Sequence, residues 1–452
     1  MRLRRFLVST IFSHQQKKGM QLYKHALESI FAHLDLPELA CVSAVCRDWS
    51  AAVSSMRGIG ACVEKPWMLH KLRNSSSLLL RHVSEIHLSC ILDQSELTSL
   101  CDIIKQSKSL TTVDLNHTNI GVKGAVAIAG AVRQSTSLTS LNVNSNAIGE
   151  VGALAMAEAI KQSKSLVILR MGFNSIGADG LSAVAEAIKQ NTSLTELELS
   201  GSSSSIGDGF TDVITEAINQ STSLTAVNLE SNRIDDVGAT SIAEAIKQST
   251  SLADVNLSNN PFSGVGATAI AEAIKQSTSL TALDLWRVSI RDDGAVAIAG
   301  AIKKSKSLVA LNVGFCGIGV AGATAIAEAI KQSTFSSLSK VYLSYNPIGD
   351  KGAVAIAEAI KKSKSLATLG LNVGEIGDEG AIALADAIKQ NKSLVMLELN
   401  SNLIGDVGVI ALADASKQSA SLVLVSLTWN LFGDEGASAI ANASKLRGNF
   451  VG

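Results

Sequence analysis

The chain has no excess of either charge, few tryptophans and tyrosines, no paired cysteines and no catalytic signature. Its 452 residues carry 39 Lys and Arg against 40 Asp and Glu, a formal net charge of -1. That balance argues against broad electrostatic binding of nucleic acid, so no nucleic-acid partner is expected. Six cysteines (Cys41, Cys46, Cys62, Cys90, Cys101 and Cys316) form no CxxC pair and no disulfide-like repeat, which suits a reducing compartment, the cytoplasm or the nucleus. The seven histidines include no HExxH and no closely spaced ligand cluster, and neither a GxxxxGK(S/T) loop nor a GxSxG turn occurs. No catalytic residue, metal or cofactor is expected. Phe6–Phe12 is too short to span a bilayer, and the later Ala/Ile runs are broken by Glu, Lys or Gln. Integral membrane association is therefore not expected either.

What fills the chain is a repeat. Aligning the opening leucines gives Leu110, Leu138, Leu166, Leu194, Leu224, Leu252, Leu280, Leu308, Leu338, Leu366, Leu394 and Leu422, in steps of 28 residues except two of 30. A more degenerate copy with Val83, Ile86 and Leu88 precedes them. Counting the leucine as offset 0, apolar residues recur at offsets 3 and 5, as in Leu138, Leu141 and Val143. Such alternation predicts a short strand with one buried face. Asn commonly stands at offset 8 (Asn146, Asn174, Asn232, Asn260, Asn346, Asn402, Asn430), where a buried amide would bind turn backbone groups that no strand pairs. Thr118, Ser202, Val288, Cys316 and Gly374 break that rule, so their turns need another solution. Gly at offset 14 opens a run such as 267–276, whose Ala and Ile fall on one helical face and whose Lys lies at the C-terminal end of the helix dipole. One unit has too little core to fold alone; stacking supplies the rest.

A strand–turn–helix unit with LxxLxL spacing and this length resembles the ribonuclease-inhibitor-type leucine-rich repeat. The resemblance implies an α/β solenoid over 83–452, with a curved parallel sheet inside and helices outside. Before it lie a basic, carboxylate-free segment (1–24), two or three short amphipathic helices (25–55) and a linking stretch (56–82) containing Gly58, Gly60 and Trp67.

The 25–55 module resembles an F-box, a small all-α domain. The matching pieces are Leu27-x-x-Ile30-Phe31, Leu34-Asp35-Leu36, Leu39 and the run from Val42 through Val45, Cys46 and Arg47 to Trp49. It departs from the family where a Leu-Pro opening is replaced by Tyr23-Lys24-His25-Ala26. The resemblance implies docking to a Skp1-like adaptor, and through it to a cullin–RING ligase. The contacts would fall on Leu27, Ile30, Phe31, Leu34, Leu36, Leu39, Val42, Val45 and Trp49.

If the strands line an inner wall, its exposed side chains are those at offsets 2, 4, 6 and 7. Most are small and polar. One lateral run differs: Trp286 and Arg287 in one unit, then Phe315, Tyr345 and Val373 at offset 7 of the next three, with Lys340 and Tyr342 alongside. Four of the seven Trp and Tyr residues (Trp286, Tyr342, Tyr345, Trp429) fall on this surface, and aromatic and Arg residues concentrate at binding hot spots. Trp286, Arg287, Phe315, Lys340, Tyr342 and Tyr345 are the candidate contacts for a protein substrate. An acidic row, Glu196, Glu198, Glu230, Asp254 and Asp284, lies beside them and would favour basic groups. The expected function is that of a non-catalytic substrate receptor in an SCF-type ubiquitin ligase. The alternatives are an interaction scaffold outside any ligase and a small-GTPase regulator, since Ran GTPase-activating proteins carry similar repeats.

Overall fold

The computed structural model describes residues 59–63, 83–88, 90–202, 209–333, 337–447 and 450–451. The basic segment 1–24, the module 25–55 with all of its expected adaptor contacts, and Trp67 lie outside the described residues. No helix among the described residues is long and apolar enough to cross a membrane.

From Val83 to Arg447 thirteen short strands alternate with helices, and with one further strand at each end they form a fifteen-stranded parallel sheet in sequence order. Each repeat strand is brief, as in Ala282–Asp284, Ala310–Asn312 and Lys340–Tyr342, where only the middle residue is buried. Residues of equal offset pair across units: Ala282 with Ala310, and Ala310 with Lys340. That register survives the two longer steps, at Glu196 with Ala226 and at Ala310 with Lys340, so the added residues are absorbed outside the sheet. Neighbouring strands need only ~4.8 Å, whereas neighbouring helices need ~8–10 Å, so such a stack bends with its strands on the inner wall.

The sheet extends past the expected repeats at both ends. Ile59–Val63, within the stretch read as a linker, pairs in parallel with Val83–Leu88. Phe450–Val451 pairs in parallel with Leu424–Ser426 at the other end. Both additions cover edge N–H and C=O groups that would otherwise stand unpaired.

The apolar framework closes as the spacing requires: Leu138, Leu141 and Val143 are fully buried, and the helix Gly264–Gln276 buries Ala267, Ile270, Ala271, Ala273 and Ile274. Its polar face is solvated. Glu158, Glu186 and Glu244 are exposed and Glu328 is half-exposed, the last paired with Lys331 at 2.9 Å. Such exposed pairs contribute little.

A second device, which the spacing did not announce, ties five of the helices to the unit before them. Asp378 Oδ1 accepts from the N–H groups of Gly405 and Gly408, both at 2.8 Å, at the start of the next helix. Asp236, Asp292, Asp350 and Asp406 do the same for their successors. Each is a helix N-cap supplied from the neighbouring repeat, with its charge at the positive end of the dipole. In these units the cap adds to the need for glycine at offset 14: a Cβ on Gly380 would lie 2.8 Å from Asp350 Oδ1 and 2.9 Å from Ala353 Cβ. Asp378→Ala is expected to cost about 1–2 kcal/mol in urea unfolding. Asp414→Ala removes only an exposed partner of Lys417 and is expected to cost under ~0.5 kcal/mol. Equal costs would contradict the capping role.

Candidate substrate-binding face

The turn after each strand sets this face. At offset 8 Asn346 Oδ1 accepts from Cys316 N at 3.0 Å and Ile318 N at 2.9 Å, while its Nδ2 donates to Val313 O at 2.8 Å and Leu343 O at 2.9 Å. Asn260 and Asn402 repeat this pattern, so one buried amide pins its own turn to the preceding one. Units that break the rule compensate locally. Thr118 Oγ1 donates to Leu115 O at 2.7 Å, and Cys316 Sγ donates to Leu285 O at 3.1 Å. Above Cys316, whose thiol offers no amide acceptor, Val288 N turns back to Leu285 O and Ile290 N to Val288 O.

The pinned turn forces offset 7 into the left-handed region in every aligned unit. Ser145, Ser231, Asn259, Ser401 and Gly201 occupy it with φ of 55°, 59°, 55°, 56° and 60°. Small and Asn side chains tolerate that conformation. Arg287, Phe315, Tyr345 and Val373 adopt it too, at φ of 58°, 55°, 62° and 54°, as do His117, Phe173 and Trp429 in separate units, although bulky and β-branched residues are disfavoured there. Backbone demand does not account for their presence.

Two of these neighbours, Phe315 and Tyr345, form a ring cluster with Trp286 on the rim of the wall. Trp286 meets Tyr345 edge-on with centroids 5.3 Å apart, and Phe315 lies 6.3 Å from Trp286 and 6.0 Å from Tyr345. The Arg287 guanidinium sits 5.9 Å from the Phe315 centroid, within cation–π range. Trp286 rests on Gly314, where a Cβ would come within 2.4 Å of the indole, so this neighbour must be glycine. Phe315 and Tyr345 remain 50% and 46% exposed, which leaves their outer faces available for contact. Lys340 and Tyr342 stand apart from the rings, on the strand itself, with Tyr342 lying over Gly370. Burial pushes the Tyr342 hydroxyl above its usual range, with the Glu398 carboxylate adding to the shift. Trp429 is isolated and 85% exposed, and Phe173 packs over Gly201 several units away.

The acidic row lies on the wall beside the cluster, in two parts. Arg170 bridges Glu196 and Glu198. Further along, burial pushes the carboxyls of Glu230, Asp254 and Asp284 above the ordinary range. Repulsion from Asp284 adds to the shift at both Glu230 and Asp254. Asp284 itself keeps hydrogen bonds from Trp286 N at 2.8 Å and Asn312 Nδ2 at 3.0 Å, which oppose its shift. No group of three or more His, Cys, Asp or Glu among the described residues is arranged to hold a metal ion.

Known families match both parts of the chain. The F-box domain matches residues 21–58, and the leucine-rich repeat family matches 106–129, 134–157, 162–185, 220–243, 248–271, 304–327, 336–357, 362–385, 390–413 and 418–441. The chain belongs to the F-box proteins with leucine-rich repeats. An F-box followed by such repeats is the architecture of non-catalytic substrate-recognition subunits of SCF ubiquitin ligases, and the F-box implies a Skp1-type adaptor. A solved chain from the yeast Rad7–Elc1 complex is similar to this F-box protein over 85% of its length and 88% of the other chain, with 14% identity and a TM-score of 0.52. At that identity the likeness shows the fold alone. The actin-binding site 2 structure of leiomodin-1 covers 34% of this chain and 88% of that one, at 19% identity and a TM-score of 0.28, too low to carry a structural argument. No curated protein matches the chain in sequence.

Proposed function

We propose that this F-box protein captures its substrate on the rim cluster of Trp286, Arg287, Phe315 and Tyr345, with Lys340 and Tyr342 contributing from the adjoining wall. The observation that carries this reading is the run of bulky, exposed or half-exposed side chains in the left-handed position of three consecutive units, Arg287, Phe315 and Tyr345, gathered with Trp286 into one cluster. Strain kept at a surface site points to use of that site. Exposed aromatics beside an arginine supply the contact area and charge typical of binding hot spots. Leu27, Ile30, Phe31, Leu34, Leu36, Leu39, Val42, Val45 and Trp49 would meanwhile hold the adaptor. The protein transfers nothing itself. It raises the effective concentration of a substrate lysine near the ubiquitin-charged enzyme.

A reconstituted ligase tests this division of labour. Full-length protein is expected to direct ubiquitin onto a protein that it captures. A Leu34→Asp plus Trp49→Ala variant should still capture but no longer support transfer, and a Trp286→Ala plus Tyr345→Asn variant should lose capture while keeping the adaptor. Transfer undiminished in both variants would contradict the proposal.

A further inference from the structure

Five arginines lie between residues 83 and 446: Arg133, Arg170, Arg233, Arg287 and Arg291. Arg133 donates to Gln162, and Arg170 pairs with Glu196 and Glu198. The other three gather on one stretch of the rim, are exposed, and form no ion pair among the described residues. All three adopt left-handed backbone, with φ of 53°, 58° and 54°. Arg291 stands where Gly121, Gly149, Gly177 and Gly349 hold the same conformation in other units. It also opens the helix Arg291–Ile302, where a cation opposes the dipole. Local folding therefore disfavours this arginine twice.

Arg233 and Arg287 line an open groove of about 490 Å³ with Asn259, Pro261, Ser289 and Phe315, and no carboxylate lines it. The nearest helix-capping acids are engaged: Asp235 accepts from Gly238 N, and Asp292 accepts from Gly319 N and Gly322 N. The groove runs across the units, parallel to the wall that carries Glu230, Asp254 and Asp284. Those mutually repelling carboxylates would turn an acidic segment away from the wall and leave the rim as its only favourable track.

We infer that this groove binds an extended acidic peptide segment of the partner, with two carboxylates three residues apart and a bulky apolar side chain about two positions beyond. Arg233 and Arg287 belong to units two steps apart, ~10 Å at the usual strand spacing. Three residues of extended chain also cover ~10 Å, so each arginine would meet one carboxylate in the bidentate geometry that guanidinium favours. Phe315, one further unit along, receives the apolar side chain. The inference rests on the repeats being the substrate-binding part, but not on the adaptor.

The probe is a fluorescein-labelled peptide with glutamates at positions i and i+3 and phenylalanine at i+5, compared with versions carrying glutamine or lysine instead of glutamate. Anisotropy with the full chain at low salt is expected to show the glutamate peptide bound about tenfold more tightly than the glutamine one, the gap narrowing as salt rises. The R233Q/R287Q variant should erase that preference, and R233E/R287E should transfer it to the lysine peptide. Equal binding of the glutamate and glutamine peptides, tighter binding of the lysine peptide to the unaltered chain, or a preference that survives R233Q/R287Q would overturn the inference. Failure of adaptor binding would sink the ligase reading and leave each of these outcomes readable.

Discussion

Replacing Asn346 with alanine is expected to destabilise the repeat array by about 3–5 kcal/mol, among the largest single-residue effects in the chain. The amide joins two units through four hydrogen bonds, and its side chain is fully buried. Its loss strands the N–H groups of Cys316 and Ile318 and the carbonyls of Val313 and Leu343, each cut off from solvent by stacked leucines. A typical net hydrogen bond contributes ~1 kcal/mol, but an orphaned buried partner costs ~1–3 kcal/mol, and four are orphaned together. Cys316→Ser, which keeps a donor for Leu285 O, is expected to stay within about 1 kcal/mol. Urea unfolding followed by circular dichroism separates the two. Because stability in a stacked array is a sum of unit and interface terms, the Asn346 variant should also broaden the transition. A cost under ~1 kcal/mol would mean that water replaces the amide.

Capture at the rim is expected to fall while stability stays nearly unchanged. Tyr345→Asn places at φ 62° a residue type that Asn259 already presents at 55°. Relief of left-handed strain, worth ~1–2 kcal/mol, then offsets the lost ring contacts with Trp286 and Phe315, worth ~0.5–1.5 kcal/mol each. The unfolding free energy should change by no more than about 1 kcal/mol. Substrate affinity should nonetheless fall by ~2 kcal/mol or more, roughly thirtyfold, if Tyr345 anchors the partner, and further when Trp286→Ala is added. Calorimetry with a captured substrate, paired with urea unfolding of the same variants, checks both signs. A variant that loses stability and affinity together would point to rings that serve the fold.

The framework was legible because hydrophobic period and side-chain chemistry act within one unit. Leu138, Leu141 and Val143 alternate as a strand face must, and Asn146 stands where a turn has backbone groups to satisfy. The lateral neighbours Trp286, Phe315 and Tyr345 followed once the unit length was known, because stacking converts equal offset into adjacency. Lys340 and Tyr342 share that row in sequence, yet the strand carries them onto the wall, where Tyr342 covers Gly370. What stayed hidden depends on contacts between units. Asp378 reads as an ordinary first-turn acid until the next helix is seen to place two N–H groups on it. The left-handed state at offset 7 leaves no trace when residues as different as Ser145 and Trp429 occupy it. Arg233 looks solitary until two turns of stacking bring it into one groove with Arg287. The strands Ile59–Val63 and Phe450–Val451 carry no LxxLxL spacing, because an edge strand needs only free backbone beside it.

Binding of a purified Skp1-type adaptor to the full chain, beside the Leu34→Asp plus Trp49→Ala variant, tests the central claim most directly. Calorimetry is expected to give roughly micromolar or tighter affinity for the unaltered chain. The variant should retain its circular dichroism and unfolding transition, since the repeats stand on their own core, and should show no binding heat. A well-folded unaltered chain that fails to bind the adaptor would contradict the ligase assignment and leave the opening helices as a cap on an interaction scaffold.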